Sequence, residues 1–281
     1  MMAVSLPYPF ELAFMQRALA AGVVVGVFAP LIGTFLVQKR LSLIGDGIGH
    51  VAFAGVGAGL LFGWVPVGTA LVFAVAGSLG VEWLRAHRKA SGDLALALFF
   101  YSGIALGVVL VSLGGGLNAN ILTYLFGQPL TVSRSDIALI AALGAAIAVV
   151  IWGIRRPLFA SVSDEDWARV AGLPVTFLNS LLAVLTACSV VAAMRVVGIL
   201  LIAALMVLPV ASAQLIARSF RSTLLWAVAV GVGSVTAGLA SARFWNLAPS
   251  GAIVLVAAAV FAIVSIAKRA APRTIVQEEH A

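Results

Sequence analysis

The stretch Leu43-Ile44-Gly45-Asp46-Gly47-Ile48-Gly49-His50-Val51-Ala52 opens an apolar run that continues to Phe62. Asp46 and His50 stand four residues apart, about one helical turn, so their side chains project from the same face of a helix. Burying a carboxylate and an imidazole within membrane hydrocarbon is costly. The same two groups supply the oxygen and nitrogen ligands that suit a divalent metal ion. The stretch therefore predicts a membrane helix with a metal-binding face.

The composition of the whole chain agrees with a membrane location. Of its 281 residues, 63% are apolar and only 10% are charged, and the mean hydropathy is +1.16. Soluble domains carry about 25% charged residues, so the class of soluble globular proteins is excluded. The single cysteine, Cys188, excludes a disulfide within the chain and a thiolate zinc site.

Nine apolar runs are long enough to cross a bilayer, which takes about 17 to 25 residues in a helix. They extend over Phe14 to Val37, Leu43 to Phe62, Val67 to Leu84, Leu94 to Leu113, Ile137 to Ile154, Val175 to Ala193, Val197 to Ile216, Leu224 to Ala240 and Ser250 to Ala267. Only Arg195 separates the sixth run from the seventh, so eight spans are the alternative count. We expect an all-α polytopic membrane protein.

The cationic residues orient these spans. Of the 17 Lys and Arg residues, one set of alternate loops holds Lys39, Arg40, Arg85, Arg88, Lys89, Arg155, Arg156, Arg169, Arg218, Arg221, Lys268, Arg269 and Arg273. The positive-inside rule places these loops in the cytoplasm. This predicts an external amino-terminal segment (1–13), one transmembrane domain (14–267) and a cytoplasmic tail (268–281). The net charge of +7 thus follows from the cytoplasmic loops and does not indicate a nucleic-acid partner.

One Asp and one His supply two ligands, whereas zinc or manganese takes four to six. A homodimer would bring a second Asp46–His50 pair around a two-fold axis. Alternatively, another helix of the same chain would supply ligands such as Tyr101 or Ser102. The alternative to metal binding is a purely structural role, in which the two residues pair with each other or Asp46 caps its helix. Ser42 is, however, the better N-cap candidate.

Small residues also pattern the spans. Pairs four residues apart predict close helix packing, and they include Gly22/Gly26, Gly45/Gly49, Gly55/Gly59, Gly59/Gly63 and Gly103/Gly107. Gly45, Gly47 and Gly49 surround Asp46. They predict a loosely packed start of that helix, because glycine costs about 1 kcal/mol relative to alanine within a helix.

A polar segment between the fifth and sixth runs predicts a cytoplasmic helix of about two turns, residues 163–172. Ser163 is the predicted N-cap, acidic residues fill the first turn, and Gly172 suits the position after the last turn. A helix this short is marginal alone, so it is expected to dock on a partner, with an ordinary interfacial helix as the alternative. The residues predicted to couple this helix to an ATPase partner are Ser163, Asp164, Glu165, Asp166, Trp167, Ala168, Arg169 and Gly172.

These segments, in their order and spacing, resemble the permease subunits of bacterial ABC transporters for zinc, manganese and iron(II). The resemblance covers about Phe14 to Ile266. It is carried by Phe14–Gly22, Gln38–Asp46 with His50, Leu125–Ser133 with Asp136, Asp166–Gly172, Arg195–Leu201 and Ala204–Ala211. The chain departs from the family pattern at Gly47 and Gly49, where Ala and Ser are usual, and near Asn246, where Asp is common.

The resemblance implies a multi-pass permease of the bacterial inner membrane that works as a homodimer. It also implies cytoplasmic ATP-binding subunits and an extracytoplasmic metal-binding protein, with Asp46 and His50 lining the ion path. The chain has no G-x-x-x-x-G-K-[ST] sequence, so ATP hydrolysis is expected in a separate subunit, and no catalytic residue is predicted here.

A divalent metal ion would be the transported substrate, with no permanently bound cofactor. A His and an Asp favour zinc, followed by manganese and iron(II). The delivery protein would dock near Asn118, Asn120 and Gln128. Two alternatives remain: an ion-coupled secondary metal transporter and an ABC permease for a larger metal chelate.

Overall fold

Every regular element that the structure describes is helical, as the long apolar runs require. The computed structural model describes residues 9–87, 92–116 and 119–270. Over these ranges the elements are α1 (Ala13–Gln38), α2 (Ile44–Leu61), α3 (Pro66–Ala86), α4 (Gly92–Leu113), α5 (Ala119–Phe126), a 3-10 turn (Pro129–Thr131), α6 (Arg134–Ser163), α7 (Glu165–Val170), α8 (Val175–Ala193), α9 (Ile202–Ile216), α10 (Phe220–Trp245) and α11 (Pro249–Ala270).

Eight of the described helices are long and apolar enough to span a membrane, namely α1 to α4, α6, α8, α10 and α11. They coincide with eight of the nine predicted runs. The exception is the seventh run, Val197 to Ile216, in which only the 15 residues of α9 are helical. The preceding stretch, residues 194–201, is irregular.

The seventh passage is nevertheless completed by this irregular stretch together with α9. The Met206 backbone lies against Gly33 of α1, and Val37 packs against a cluster formed by Val210, Ala213 and Ala227, so α9 runs in the same direction as α1. Lys39, which follows α1, contacts Asn179 near the start of α8. Because α8 begins and α9 ends at this same face, the chain between them crosses back through the bundle.

Helix α2 lies between α3 and α4 and also contacts α8 and α9. Helices α1, α2 and α8 are the most enclosed, whereas α4, α6 and α11 are exposed over most of their length. The predicted close packing of small residues is confirmed at Gly26, which touches Gly231 of α10, and at Gly103, which touches the α2 backbone. It is wrong at Gly63, because nothing lies within 4 Å of its Cβ position.

The predicted loose start of α2 is wrong. The helix is regular from Ile44, and the three glycines in its first two turns make close contacts. Gly45 lies against Met206, Gly47 against Leu96 and Gly49 against Ile199. The absence of side chains here allows α4, α9 and the irregular stretch to approach α2 closely, so the glycines fix the helix in place.

Helix α6 extends well beyond its predicted end at Ile154. With 30 residues it is about 45 Å long, so its carboxyl end projects past the membrane. Pro157 is accommodated inside this projecting part. Ser163, predicted to start the cytoplasmic helix, is instead the last residue of α6.

Candidate functional site

Asp46 and His50 lie on one face of α2, in its first and second turns. The His50 Nε2 atom is 3.8 Å from Asp46 Oδ1, and the two side chains are 12% and 33% exposed, respectively. Leu43 occupies the N-cap position without a side-chain cap, so neither Ser42 nor Asp46 caps the helix. The positive end of the helix dipole favours the Asp46 carboxylate at this position.

The Asp46 side chain borders a cavity of about 320 Å³ between α2 and α9. The other lining residues are Ser42, Leu43, Leu200, Ala203, Ala204, Val207 and Leu208. The opposite wall is thus made of small and aliphatic side chains. A carboxylate facing such a wall has lone pairs available to a cation that enters the cavity.

His50 is oriented by an aromatic contact. Its ring lies 4.4 Å from the ring of Phe100 on α4, at an interplanar angle of 70°. Tyr101, an alternative ligand, is exposed, and the Ser102 hydroxyl donates to the Leu98 carbonyl at 2.6 Å. Among the described residues, no group of three or more His, Cys, Asp or Glu side chains is placed to hold a metal ion. Asp46 and His50 thus supply two potential ligands, fewer than the four to six that a transition metal ion takes.

The second candidate region is the short helix α7, which follows α6 after one residue. Asp164 is its N-cap, with a side-chain oxygen that accepts from the Trp167 N–H at 2.9 Å. Asp164 replaces the predicted Ser163 because α6 continues through Ser163. Gly172 has a φ of 78° and donates its N–H to Arg169, so it ends the helix where predicted.

Helix α7 presents apolar residues to the exterior. Trp167 is 61% exposed and Val170 is 90% exposed, whereas Ala168 is buried against the bundle. Asp166 is exposed on the same helix. The exposed Trp167 and Val170 form a small apolar surface on this six-residue helix, at the end of the bundle where Lys39 also lies.

A polar cluster at that face connects four parts of the chain, and the sequence did not predict it. Lys39 donates to the Asn179 side-chain oxygen and lies 3.7 Å from Glu165. Glu165 also accepts from Arg169 at 2.7 Å and from the Asn179 amide at 3.3 Å. Ser161 of α6 donates to Asn179 at 3.4 Å. The one sequence signal was an amide, Asn179, inside an apolar run.

Charge and burial shift the pKa values in this cluster. Burial lowers the pKa of the Lys39 amine, against the opposing effect of the Glu82 charge. Burial alone would raise the pKa of Glu165, but the hydrogen bond from Arg169 and the charge of Lys39 hold it below its ordinary value. The hydrogen bond to Glu165 raises the pKa of Arg169. Glu165 is therefore ionised at neutral pH.

At the opposite face, α5 is fastened to the irregular stretch before α9. The Ile199 N–H donates to the Tyr124 carbonyl at 3.0 Å, and the Gln128 N–H donates to the Arg195 carbonyl at 3.0 Å. Gly127 and Gly198 meet in this contact with φ angles of 68° and 88°. Leu200, two residues beyond Gly198, lines the Asp46 cavity.

Two of the predicted docking residues, Asn120 and Gln128, belong to this region around α5. Gln128 lies between α5 and the 3-10 turn, where its side-chain oxygen accepts from the Thr123 hydroxyl. Asn120 belongs to the first turn of α5, and Asn118 lies outside the described residues. Asn246 ends α10 in a left-handed conformation, φ 50°, which Asn adopts more readily than most residues. This accounts for an amide at that position.

In the described part of the chain, eight helices are long and apolar enough to span a membrane, and Asp46 lines an open cavity between α2 and α9, which defines a multi-pass membrane protein. The model of the ABC 3 transport family matches residues 11–268, and the chain belongs to this family. The fold therefore places the chain among plasma-membrane proteins of ABC transport systems.

Named relatives and a solved structure match along most of the chain. It is 31% identical to the manganese transport system membrane protein MntC of Halalkalibacterium halodurans, covering 89% of this chain and 86% of the relative. It is 30% identical to the manganese import system permease protein ScaB of Streptococcus gordonii, covering 89% and 90%. The structure of PsaBC from Streptococcus pneumoniae in complex with Fab matches with a TM-score of 0.81 at 31% identity, covering 90% and 91%.

Proposed function

We propose that the chain is the permease subunit of an ATP-driven importer of divalent metal ions, with Mn²⁺ as the foremost substrate. The observation that carries the proposal is the Asp46–His50 pair on one face of α2, with Asp46 lining an open cavity between α2 and α9. A carboxylate oxygen and a neutral imidazole nitrogen both bind Mn²⁺. The sequence alone favoured zinc. Because two of the relatives are named for manganese transport, we propose Mn²⁺ as the first substrate and Zn²⁺ as the second.

A homodimer would complete the ion site. The Asp46 side chain is 33% exposed on the surface of a membrane-embedded bundle. Exposing a carboxylate to lipid acyl chains costs free energy. A second copy packed against this face would cover both carboxylates. It would also raise the ligands from two to four, which suits a divalent transition metal ion.

A separate ATP-binding subunit would drive the movement. The chain contains no G-x-x-x-x-G-K-[ST] sequence for binding phosphates. Helix α7 offers Trp167 and Val170 on the face predicted to be cytoplasmic, and an exposed Trp is a frequent anchor of protein interfaces. Docking there would let movements of the ATPase reach the bundle.

Ion entry would start at the opposite face. A delivery protein would dock on α5 and the loop that contains Gln128, and it would release its ion towards the bundle. Asp46 and His50 of both copies would replace part of the ion's hydration shell. Movement of α7 would then change the bundle from an outward-open to an inward-open arrangement.

Reconstitution into vesicles tests the proposal. The chain would be assembled with its ATP-binding subunit and delivery protein, and uptake of Mn²⁺, Zn²⁺ and Fe²⁺ would be measured with and without ATP. The proposal predicts ATP-dependent Mn²⁺ uptake. Uptake without the ATP-binding subunit would instead identify a secondary transporter, and uptake confined to a metal chelate would identify the larger-substrate alternative.

A further inference from the structure

The Lys39 side chain is buried where three helices meet. It follows the last residue of α1, and its side chain is only 6% exposed. Its ammonium group faces Asn179 of α8 and Glu165 of α7. A buried ammonium group is retained at low cost only where its hydrogen-bond and charge partners are close, so Lys39 depends on both neighbours.

Glu165 and Asn179 complete a closed set of contacts. The Asn179 amide donates to Glu165, while the Asn179 oxygen accepts from Lys39 and from Ser161 of α6. Each group therefore has a partner on a different element. Movement of α7 away from the bundle would break the contacts of Glu165 with both Lys39 and Asn179.

Helix α7 has space in which to move. A cavity of about 230 Å³ lies between α7 and the end of α3, and Glu82, Arg85, Glu165, Asp166 and Arg169 line it together with Ala86. Tight apolar packing does not fix α7 against α3. Its position is instead set by the buried Ala168 and by the contacts of Glu165.

The turn that carries Lys39 is short and leads directly to α2. Arg40 has a φ of 61°, and the Leu41 N–H donates to the Leu36 carbonyl at 2.8 Å, which closes the end of α1. Only four residues, Arg40 to Leu43, separate Lys39 from the first residue of α2. Displacing Lys39 therefore displaces the first turn of α2, where Asp46 lies.

We propose that Lys39, Glu165 and Asn179 form a link that transmits the movement of α7 to the first turn of α2, and so couples ATP hydrolysis to the position of Asp46. These are positioning residues, since they act on the ion through α2. The inference rests on the proposed function, because it assumes that α7 receives the movement of an ATPase.

The test measures how many metal ions are transported for each ATP hydrolysed. The chain, assembled with its ATP-binding subunit and delivery protein in vesicles, would be compared with Glu165→Gln, Lys39→Gln and the double variant. Glu82→Gln is the control for charge alone, because the Glu82 charge acts on Lys39 from a distance, whereas its hydrogen-bond partner, Arg85, lies on its own helix at 2.6 Å. The ratio does not depend on how much protein folds.

We expect each single variant to lower the number of Mn²⁺ ions per ATP at least fivefold while ATP hydrolysis continues. The double variant should resemble the single ones, since the link is already broken. Glu82→Gln should keep the wild-type ratio. A wild-type ratio in Glu165→Gln, or an equal loss in Glu82→Gln, would overturn the link, whereas absent ATP-dependent uptake by the wild-type assembly would overturn the proposed function instead.

Hydrogen exchange supplies a second readout that needs neither ATP nor metal. In the purified chain, Glu165→Gln should speed the exchange of α7 amides and of the amides in the first turn of α2, whereas Glu82→Gln should leave both rates unchanged. Faster exchange in α7 alone would show that α7 is docked without being linked to α2, and the proposal would fail.

Discussion

Substituting alanine at Gly127, which contacts Gly198, and at Gly63 would separate the effect of backbone strain from the effect of a steric collision. A Cβ atom on Gly127 would lie 2.5 Å from the Gly198 nitrogen, and Gly127 has a φ of 68°. Gly63 has nearly the same conformation, with a φ of 70°, but nothing lies within 4 Å of its Cβ position. Alanine at either position is strained by the backbone, and only alanine at Gly127 also collides with a neighbour.

The two substitutions should therefore differ in free energy. The left-handed conformation costs an alanine about 1 kcal/mol. Overpacking costs about 1 to 3 kcal/mol more, and we take about 2 kcal/mol for this collision between backbone atoms and the new Cβ. We expect Gly63→Ala to lose about 1 kcal/mol and Gly127→Ala to lose about 3 kcal/mol. At about 2–4 °C per kcal/mol, Gly127→Ala should melt about 6–12 °C below wild type.

Thermal unfolding in detergent, followed by tryptophan fluorescence, would measure both shifts. Transport should fall further in Gly127→Ala than in Gly63→Ala, because Gly198 leads to Leu200 in the wall of the Asp46 cavity. Equal melting temperatures for the two variants would refute the reasoning. They would show that the segment before α9 is free to move away from α5.

Three further predictions concern α7 and the end of α10. Trp167→Ala should weaken binding of the ATP-binding subunit at least tenfold without changing the melting temperature of the chain, since Trp167 is exposed; unaltered affinity in a pull-down titration would argue against docking on α7. Asn246→Ala should lower the melting temperature by about 2–4 °C while Asn246→Gly should not, because only the glycine relieves the left-handed strain; identical melting curves would contradict this. Burial alone would raise the pKa of Glu165, but Arg169 and Lys39 hold it below its ordinary value. The contacts that Glu165 makes from α7 should therefore stabilise the fold fully above about pH 4.3 and be lost as the pH falls through the lowered pKa. Hydrogen exchange of the α7 amides that does not change with acid would be inconsistent with this.

The spans were predictable because hydropathy is a local property. Residues 14–37, for example, are apolar along their whole length, and no tertiary contact is needed to make them a membrane helix. The shared face of Asp46 and His50 followed from helical periodicity in the same way. What the two residues do remains a prediction, since helical geometry shows their positions and not their ligand.

The remaining features depend on contacts between distant residues. The seventh run is apolar enough for a full helix, but backbone bonds from α5 to Ile199 and Leu200 hold its first part irregular. Lys39 and Asn179 are 140 residues apart, so no local pattern could join them. The N-cap was misplaced by one residue because the fifth run was predicted to end at Ile154, whereas α6 continues through Ser163.

The stoichiometry of Mn²⁺ bound to the purified chain tests the central claim most directly. Two copies that share one site made of two Asp46 and two His50 side chains should bind one Mn²⁺ per two chains. Asp46→Asn and His50→Gln should each abolish that binding while Glu82→Gln retains it. One Mn²⁺ per chain, or full binding in Asp46→Asn, would contradict the account.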